Sequence, residues 1–287
     1  TFTVYDRRGR RLGTAYLAHM PEAFQVTLSK QMTELLQSVL SRWDGPLPRL
    51  AYITDAGWHP SDYYKNVLRR MRHPRTGQEL SWYRVVDYYH AAERITKLRD
   101  VLFGKDAAAG HAWARRMRSV LKSERNGIRR LLHSVAALRK RRELSRSAEE
   151  TYSEAYQYLS GQRAYLRYWE YRAKGLPIGS GVTEAACKTV FTQRFKQSGM
   201  GWKVESGETI LKLRVLYLSG VWDAAFRAWL NTGDVPHNGT EPYLKRPTKP
   251  PLALKQASAE REFAIFGSAA GRDRPGGGTG IWRAAIL

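Results

Sequence analysis

Leu176-Pro177-Ile178-Gly179-Ser180-Gly181-Val182-Thr183-Glu184-Ala185-Ala186-Cys187-Lys188 is the stretch on which the reading of this chain turns. A loop punctuated by Pro and Gly gives way to a helical pattern with one carboxylate, Glu184, in its first turn. Ser180 or Thr183 is suited to cap that helix, because a short side-chain oxygen accepts from the unpaired N–H groups of a first turn. Glu184 is then held at a fixed angle on a rigid element, which is where a metal-binding acid belongs. An ordinary capped helix start with a dipole-favoured Glu has the same sequence. What Glu184 does therefore depends on what else the chain carries.

Two aspartates upstream bear on it. Leu50-Ala51-Tyr52-Ile53-Thr54 is a short buried-strand run that ends at Asp55-Ala56-Gly57, and Trp82-Tyr83-Arg84-Val85-Val86 is another that ends at Asp87. The C-terminal ends of strands form the edge where α/β sheets gather ligands. Taken singly, each aspartate is a turn residue that closes a strand. With a helix-borne Glu they make an oxygen-only set suited to Mg²⁺ or Mn²⁺. Two such ions about 4 Å apart activate an attacking oxygen and stabilise a leaving one in phosphodiester chemistry. His90 follows Asp87 by one helical turn. It either orients a scissile phosphate or a carboxylate, or simply packs at a helix start.

The first half of the chain has an α/β rhythm. Residues 1–20 read as a β-hairpin with a polar turn at Asp6-Arg7-Arg8-Gly9-Arg10. A helix opens at Pro21-Glu22 and runs to about Trp43, and a second spans about Ser61 to Met71 between the two strand runs. From about 91 to 173 the helical period takes over. A further helix is expected from Glu184 to about Gln197, a turn at Ser198–Trp202, a helix from Gly207, and a last one over Val221–Leu230. Beyond Asn231 the Pro-, Lys- and Gly-rich sequence loses its periodicity, so 232–287 reads as a flexible, low-order tail.

The chain of 287 residues carries 48 Lys and Arg against 26 Asp and Glu, a net charge of +22. Such an excess repels itself unless a polyanion is near, and nucleic acid is the expected partner because neutralised phosphates release counterions. Between positions 97 and 146 there are 15 basic and 4 acidic residues, so half of the excess sits in one block. That imbalance is too great for salt-bridge lacing and reads as a phosphate-facing surface. No apolar run approaches the roughly 20 residues needed to span a bilayer, and no signal peptide is apparent. A single cysteine, Cys187, excludes an internal disulfide and any multi-thiolate zinc site. It reads as a small buried residue in a reducing, intracellular setting.

Other residues near Glu184 have two readings each. Lys188, one turn on, is either an intrahelical ion-pair partner or a DNA contact. Arg194 and Lys196 can reach a phosphate backbone. Trp202, in its glycine-flanked turn, either packs on the core or stacks on an unpaired base. The opening of the chain inside a strand pattern, without an initiator Met, reads as a fragment of a longer protein.

These blocks together resemble a bacterial insertion-sequence transposase of the DDE class, close to the ISKra type. The resemblance rests on Arg11-Leu12-Gly13-Thr14-Ala15-Tyr16 with Met20-Pro21-Glu22, on Thr54-Asp55-Ala56-Gly57, and on Val86-Asp87-Tyr88-Tyr89-His90-Ala91-Ala92-Glu93-Arg94. It continues with Pro177–Thr189 and with Gln193-Arg194-Phe195-Lys196-Gln197-Ser198-Gly199-Met200, so it spans residues 1 to about 230. It implies a ribonuclease-H-like α/β core (a mixed sheet flanked by helices) over 1–103 and 175–231, interrupted by an all-α insertion over 104–174. It makes Asp55 and Glu184 the second and third acids of the catalytic triad, holding Mg²⁺ or Mn²⁺. Asp87 and His90 match an Asp-x-x-His signature shared with Mutator-like transposases. That makes Asp87 an accessory, where strand-end position alone had made it an equal ligand.

The same resemblance implies DNA as partner, both transposon ends and target, with a homo-oligomer forming on DNA in a cytoplasmic, nucleoid-associated setting. The family's first acid, on a strand before the hairpin, has no counterpart here, and Asp6 in the hairpin turn is a poor substitute. The N-terminal DNA-recognition region is also missing, and Gly201 stands where relatives carry Arg. Two rivals follow: an inactive DNA-binding remnant, and a ribonuclease-H-like nuclease acting outside transposition.

Overall fold

The computed structural model describes residues 1–6, 8–196 and 201–231, and the backbone of 283–286. It is a mixed α/β structure, mostly helical. Strands β1 (Phe2–Tyr5) and β2 (Arg11–Ala15) form the expected antiparallel hairpin. Helix α1 (Val26–Ser41) follows, entered through left-handed backbone at Phe24 and Gln25 (φ 60° and 52°). The helix expected from Pro21 therefore starts later. Its first turn is capped from outside by Glu22, whose Oε1 accepts from the N–H groups of Thr27 at 2.5 Å and Leu28 at 3.2 Å.

Strand β3 (Arg49–Thr54), helix α2 (Trp58–Asn66) and strand β4 (Trp82–Val86) come next, with β3 and β4 paired in parallel. Helices α3 (Tyr88–Phe103), α4 (Ala108–Ser123), α5 (Gly127–Arg139), α6 (Arg146–Gly161) and α7 (Tyr168–Ala173) follow. Then come α8 (Gly181–Ala186), a π-helical segment (Cys187–Thr192), α9 (Gln193–Phe195), α10 (Val204–Leu218) and α11 (Trp222–Asn231). One strand was not foreseen: β5 (Arg283–Ile286), inside the stretch read as a low-order tail. It lies between β1 and β3, antiparallel to the first and parallel to the second, giving the sheet order β2-β1-β5-β3-β4. The rest of that tail falls outside the described residues.

Strand alternation divides the sheet between two cores. Ala51 and Ile53 of β3 enter a cluster with Ile95, Leu98, Met117, Leu131 and Leu159 from α3–α6. Leu50 and Tyr52 face the other way, against Leu36 and Leu40 of α1 and Tyr63 of α2. Helices thus cover both faces, which is why β3 reads as an unbroken apolar run. Residues of the 104–174 stretch share one core with β3 and β4.

The outer edge of β4 is covered by α7. The hydroxyl of Tyr168 donates to Val86 O at 2.9 Å, and that of Tyr171 donates to Arg84 O at 3.0 Å, both fully buried. Two carbonyls of an edge strand thereby find partners without water.

The helix containing Glu184 widens to π geometry after Ala186, and the widening frees backbone carbonyls. Arg214 of α10 takes them, donating to Val190 O at 3.0 Å and also to Thr189 O. A small core of Ala186, Val190, Phe195 and Leu211 joins the two segments. The segment leaving β2 is tied to α10 as well: Tyr16 N–H donates to Ser219 Oγ and Met20 N–H to Glu208 Oε2, both at 2.9 Å. Cys187, expected to be buried, is exposed, because Ala186 and Val190 form the inward row here.

Candidate functional site

Asp55 and Asp87 lie side by side. Thr54 pairs with Val86 in the parallel ladder, and Asp87 N–H donates to Thr54 O at 2.8 Å, so both acids emerge at the same C-terminal edge. Their environments differ sharply. Asp55 is exposed. Its Oδ1 accepts from Gly57 N–H at 2.9 Å in a turn that includes left-handed Ala56 (φ 66°). Asp87 is fully buried, and its carboxylate is consumed by the protein. Its Oδ1 caps α3 by accepting from Tyr89 N–H at 2.6 Å. Its Oδ2 accepts from Ser180 N–H at 2.6 Å and from the Ser180 hydroxyl.

That last contact corrects the capping expectation. The hydroxyl of Ser180 does not cap α8, because it is spent on Asp87; Thr183 does not cap either, its Oγ1 lying 3.0 Å from Thr1 Oγ1. Ser180 acts through its backbone instead: its carbonyl accepts from Thr183 N–H at 2.7 Å and Glu184 N–H at 3.0 Å. Tyr88 N–H donates to Ile178 O at 2.9 Å, a second tie between the start of α3 and this loop. A chain of contacts therefore runs from the end of β4 through Ser180 to the turn bearing Glu184. The Thr1–Thr183 contact ties the same turn to the sheet, since Thr1 precedes β1 and Phe2 lies level with Tyr52 across Ile286. Glu184 itself is exposed, and no hydrogen bond or ion pair joins it to Asp55 among the described residues.

The loop is shaped for close approach. A Cβ on Gly179 would lie 3.0 Å from Cε2 of Tyr89 and 3.2 Å from its Cδ2. Tyr89, Lys122, Ile178, Gly179 and Val182 line a cleft of about 380 Å³ there, within the range of ligand sites. Sequence reading passed over three residues at this edge. Trp58, three residues beyond Asp55, is 68 % exposed, and Tyr89 is 58 % exposed. Tyr158 of α6 donates its hydroxyl to Asp55 O at 2.8 Å. Burial pushes the Tyr158 phenol up to about 12; Arg94, whose guanidinium lies 4.8 Å from the ring centre, opposes this, and Asp55 and Asp87 add to it. The hydroxyl accordingly stays protonated and able to donate at neutral pH. Their closeness in sequence to Asp55 and Asp87 was the available signal for Trp58 and Tyr89. The Tyr158 contact spans 103 positions and left no local trace.

The remaining residues are placed as follows. His90 stands on the first turn of α3, makes no bond to Asp87, and has Nδ1 3.4 Å from Glu93 Oε2. Lys188, Arg194 and Lys196 are exposed, and no ion pair joins Lys188 to Glu184 among the described residues. Trp202 packs against Phe195 with ring centres 5.0 Å apart, and the Arg194 guanidinium lies 5.7 Å from its ring centre. Among the described residues no helix is long and apolar enough to cross a membrane, and no group of three or more His, Cys, Asp or Glu is gathered for a metal. No family model, no curated protein and no solved structure matches this chain.

Proposed function

We propose that the chain is the catalytic portion of a DDE-type DNA transposase of the ISKra type, built on a ribonuclease-H-like core, which cuts and joins transposon ends. The observation that carries this reading is the Asp87–Ser180 clamp, which ties the turn bearing Glu184 to the strand edge from which Asp55 emerges. An antiparallel hairpin in one sheet with a parallel pair whose ends carry the acids supports it further.

Asp55 and Glu184 are exposed oxygen donors, a fit for Mg²⁺ or Mn²⁺. Two carboxylates suffice for an ion that keeps several waters and takes further ligands from substrate phosphates. When bound, such an ion supplies Lewis-acid stabilisation to phosphate oxygens. The reaction is phosphoryl transfer: a water oxygen attacks phosphorus and gives up a proton, the 3′-oxygen leaves as a hydroxyl, and that hydroxyl then attacks a target phosphodiester, expelling the target strand's 3′-oxygen, which takes up the proton. Asp87 and Ser180 position the turn bearing Glu184, and Tyr158 holds the backbone of Asp55. Trp58 and Tyr89 offer rings on which bases next to the cut can stack. His90, Lys188, Arg194, Lys196 and Trp202 belong to the surface that meets DNA. The assembly is a homo-oligomer on DNA, in the cytoplasm and with the nucleoid.

The test is Mg²⁺-dependent nicking of DNA bearing transposon ends by the parent, Asp55→Asn and Glu184→Gln. Loss of nicking in both variants is expected; variants that cut as well as the parent would overturn the assignment. One observation favours a second reading, an inactive DNA-binding remnant: no group of three or more His, Cys, Asp or Glu is gathered for a metal among the described residues. Salt-sensitive DNA binding without cutting under any divalent metal would select it.

A further inference from the structure

Away from the acid edge, α4 and α5 flank a second, open cavity of about 440 Å³, lined by Trp113, Arg116, Met117, Arg129, Arg130 and His133. We propose that this cavity is a nucleotide-binding site, taking an unpaired base of a DNA strand against Trp113 and its phosphate between Arg116 and Arg129. The proposal rests on the reading of the chain as a DNA-binding protein, but not on its catalysis.

The walls carry the argument. Arg116 and Arg129 are exposed and, among the described residues, make no ion pair. Arg130 is paired with Glu124 of the α4–α5 connection. Two guanidiniums without an acidic partner on one cavity wall are available to an anion, and their planar donor forks match phosphate oxygens. An inorganic anion alone would leave the rest of the wall unused, since Trp113 and Met117 form its apolar part.

Trp113 is fixed in place. Its Nε1–H donates to Ser134 Oγ at 2.9 Å and its ring rests on Phe103, with centres 5.6 Å apart. A rigid indole beside cations is the combination that holds single-stranded nucleic acid, where stacking tolerates any base and cations follow the backbone. A volume near 440 Å³ lies in the range of small-ligand sites. Paired bases inside a duplex cannot offer a face, so the occupant is a base at a bulge, a frayed end or a displaced strand.

The full chain is tested in EDTA by fluorescence anisotropy, with a labelled duplex carrying one bulged nucleotide, the same duplex with an abasic bulge, and a fully paired duplex. The parent is expected to prefer the bulged base over the abasic bulge roughly tenfold. Trp113→Leu, which keeps apolar bulk but has no π-face, should abolish that preference and leave the salt dependence unchanged. Arg116→Ala/Arg129→Ala, at exposed positions that leave the core intact, should weaken binding at least about tenfold and lower the slope of log K against log salt by roughly 1. Equal affinity of the parent for bulged and abasic DNA overturns the base site. An unchanged slope in the arginine variant overturns the phosphate site. Cutting is silent in EDTA, so failure here leaves the Asp55–Glu184 assignment standing, and failure of nicking leaves this site standing.

Discussion

Ser180, on the loop before α8, gives both its N–H and its hydroxyl to one oxygen of Asp87, 93 positions earlier at the end of β4. The other oxygen caps α3 through Tyr89 N–H. One buried carboxylate thereby sets the start of two helices. Its removal leaves three part-buried donors, the N–H groups of Tyr89 and Ser180 and the Ser180 hydroxyl, without this partner.

Asp87→Ala should accordingly lower stability by about 2–4 kcal/mol, from the desolvated donors it strands. The loss should be concentrated locally. Hydrogen exchange is expected to rise at Tyr89 and over 178–184 before it rises in β3. Uniform acceleration, or none, would show that Asp87 is not the link.

Alkali should unfold the protein through its buried tyrosines. Burial pushes the Tyr171 phenol up to about 12 and holds that of Tyr168 well above its ordinary value, whereas an unfolded tyrosine titrates near 10. The folded state keeps protons that the unfolded state releases, so stability is complete below about pH 10 and is lost as pH rises towards 12. For Tyr171, 1 % exposed, the shift amounts to about 2–3 kcal/mol. Tyr171→Phe should flatten the loss in urea unfolding measured from pH 9 to 12, at the cost of about 1 kcal/mol for its bond to Arg84 O at neutral pH.

Gly127 opens α5 where it meets the end of α4. A Cβ there would lie 2.4 Å from Val120 O and 2.8 Å from Leu121 Cα. Both are backbone atoms and cannot swing aside, so Gly127→Ala should cost about 2–3 kcal/mol by overpacking. Thermal unfolding checks this, and an unchanged midpoint would mean that the two helices part easily.

Trp58→Ala removes an indole that is mostly in solvent, so stability should change by less than about 0.5 kcal/mol. If bases stack there beside the cut, affinity for DNA frayed at the transposon end should fall roughly tenfold while affinity for paired DNA holds. Equal losses on both substrates would deny Trp58 that role.

Much of this organisation was legible in the sequence, for identifiable reasons. β3 and β4 are short apolar runs closed by Asp55 and Asp87, and the helices show their period because each buries one stripe. What escaped was set by distant partners. The hydroxyl of Ser180 looked like a helix cap because its acceptor is far away in sequence. β5 was invisible, since Arg283-Ala-Ala-Ile286 has no alternation of its own and exists through its pairing with β1 and β3. The left-handed pair Phe24–Gln25 and the π segment after Ala186 are backbone adjustments held by Glu22 and Arg214, which no local propensity specifies.

The most direct measurement is Mn²⁺ binding to the DNA complex, followed by electron paramagnetic resonance, for the parent, Asp55→Asn, Glu184→Gln and the double variant. If the two carboxylates share an ion, each single change should weaken Mn²⁺ binding at least about tenfold, and the double variant should lose little more than either. Parent-like binding in both single variants, or losses that simply add, would contradict a shared site.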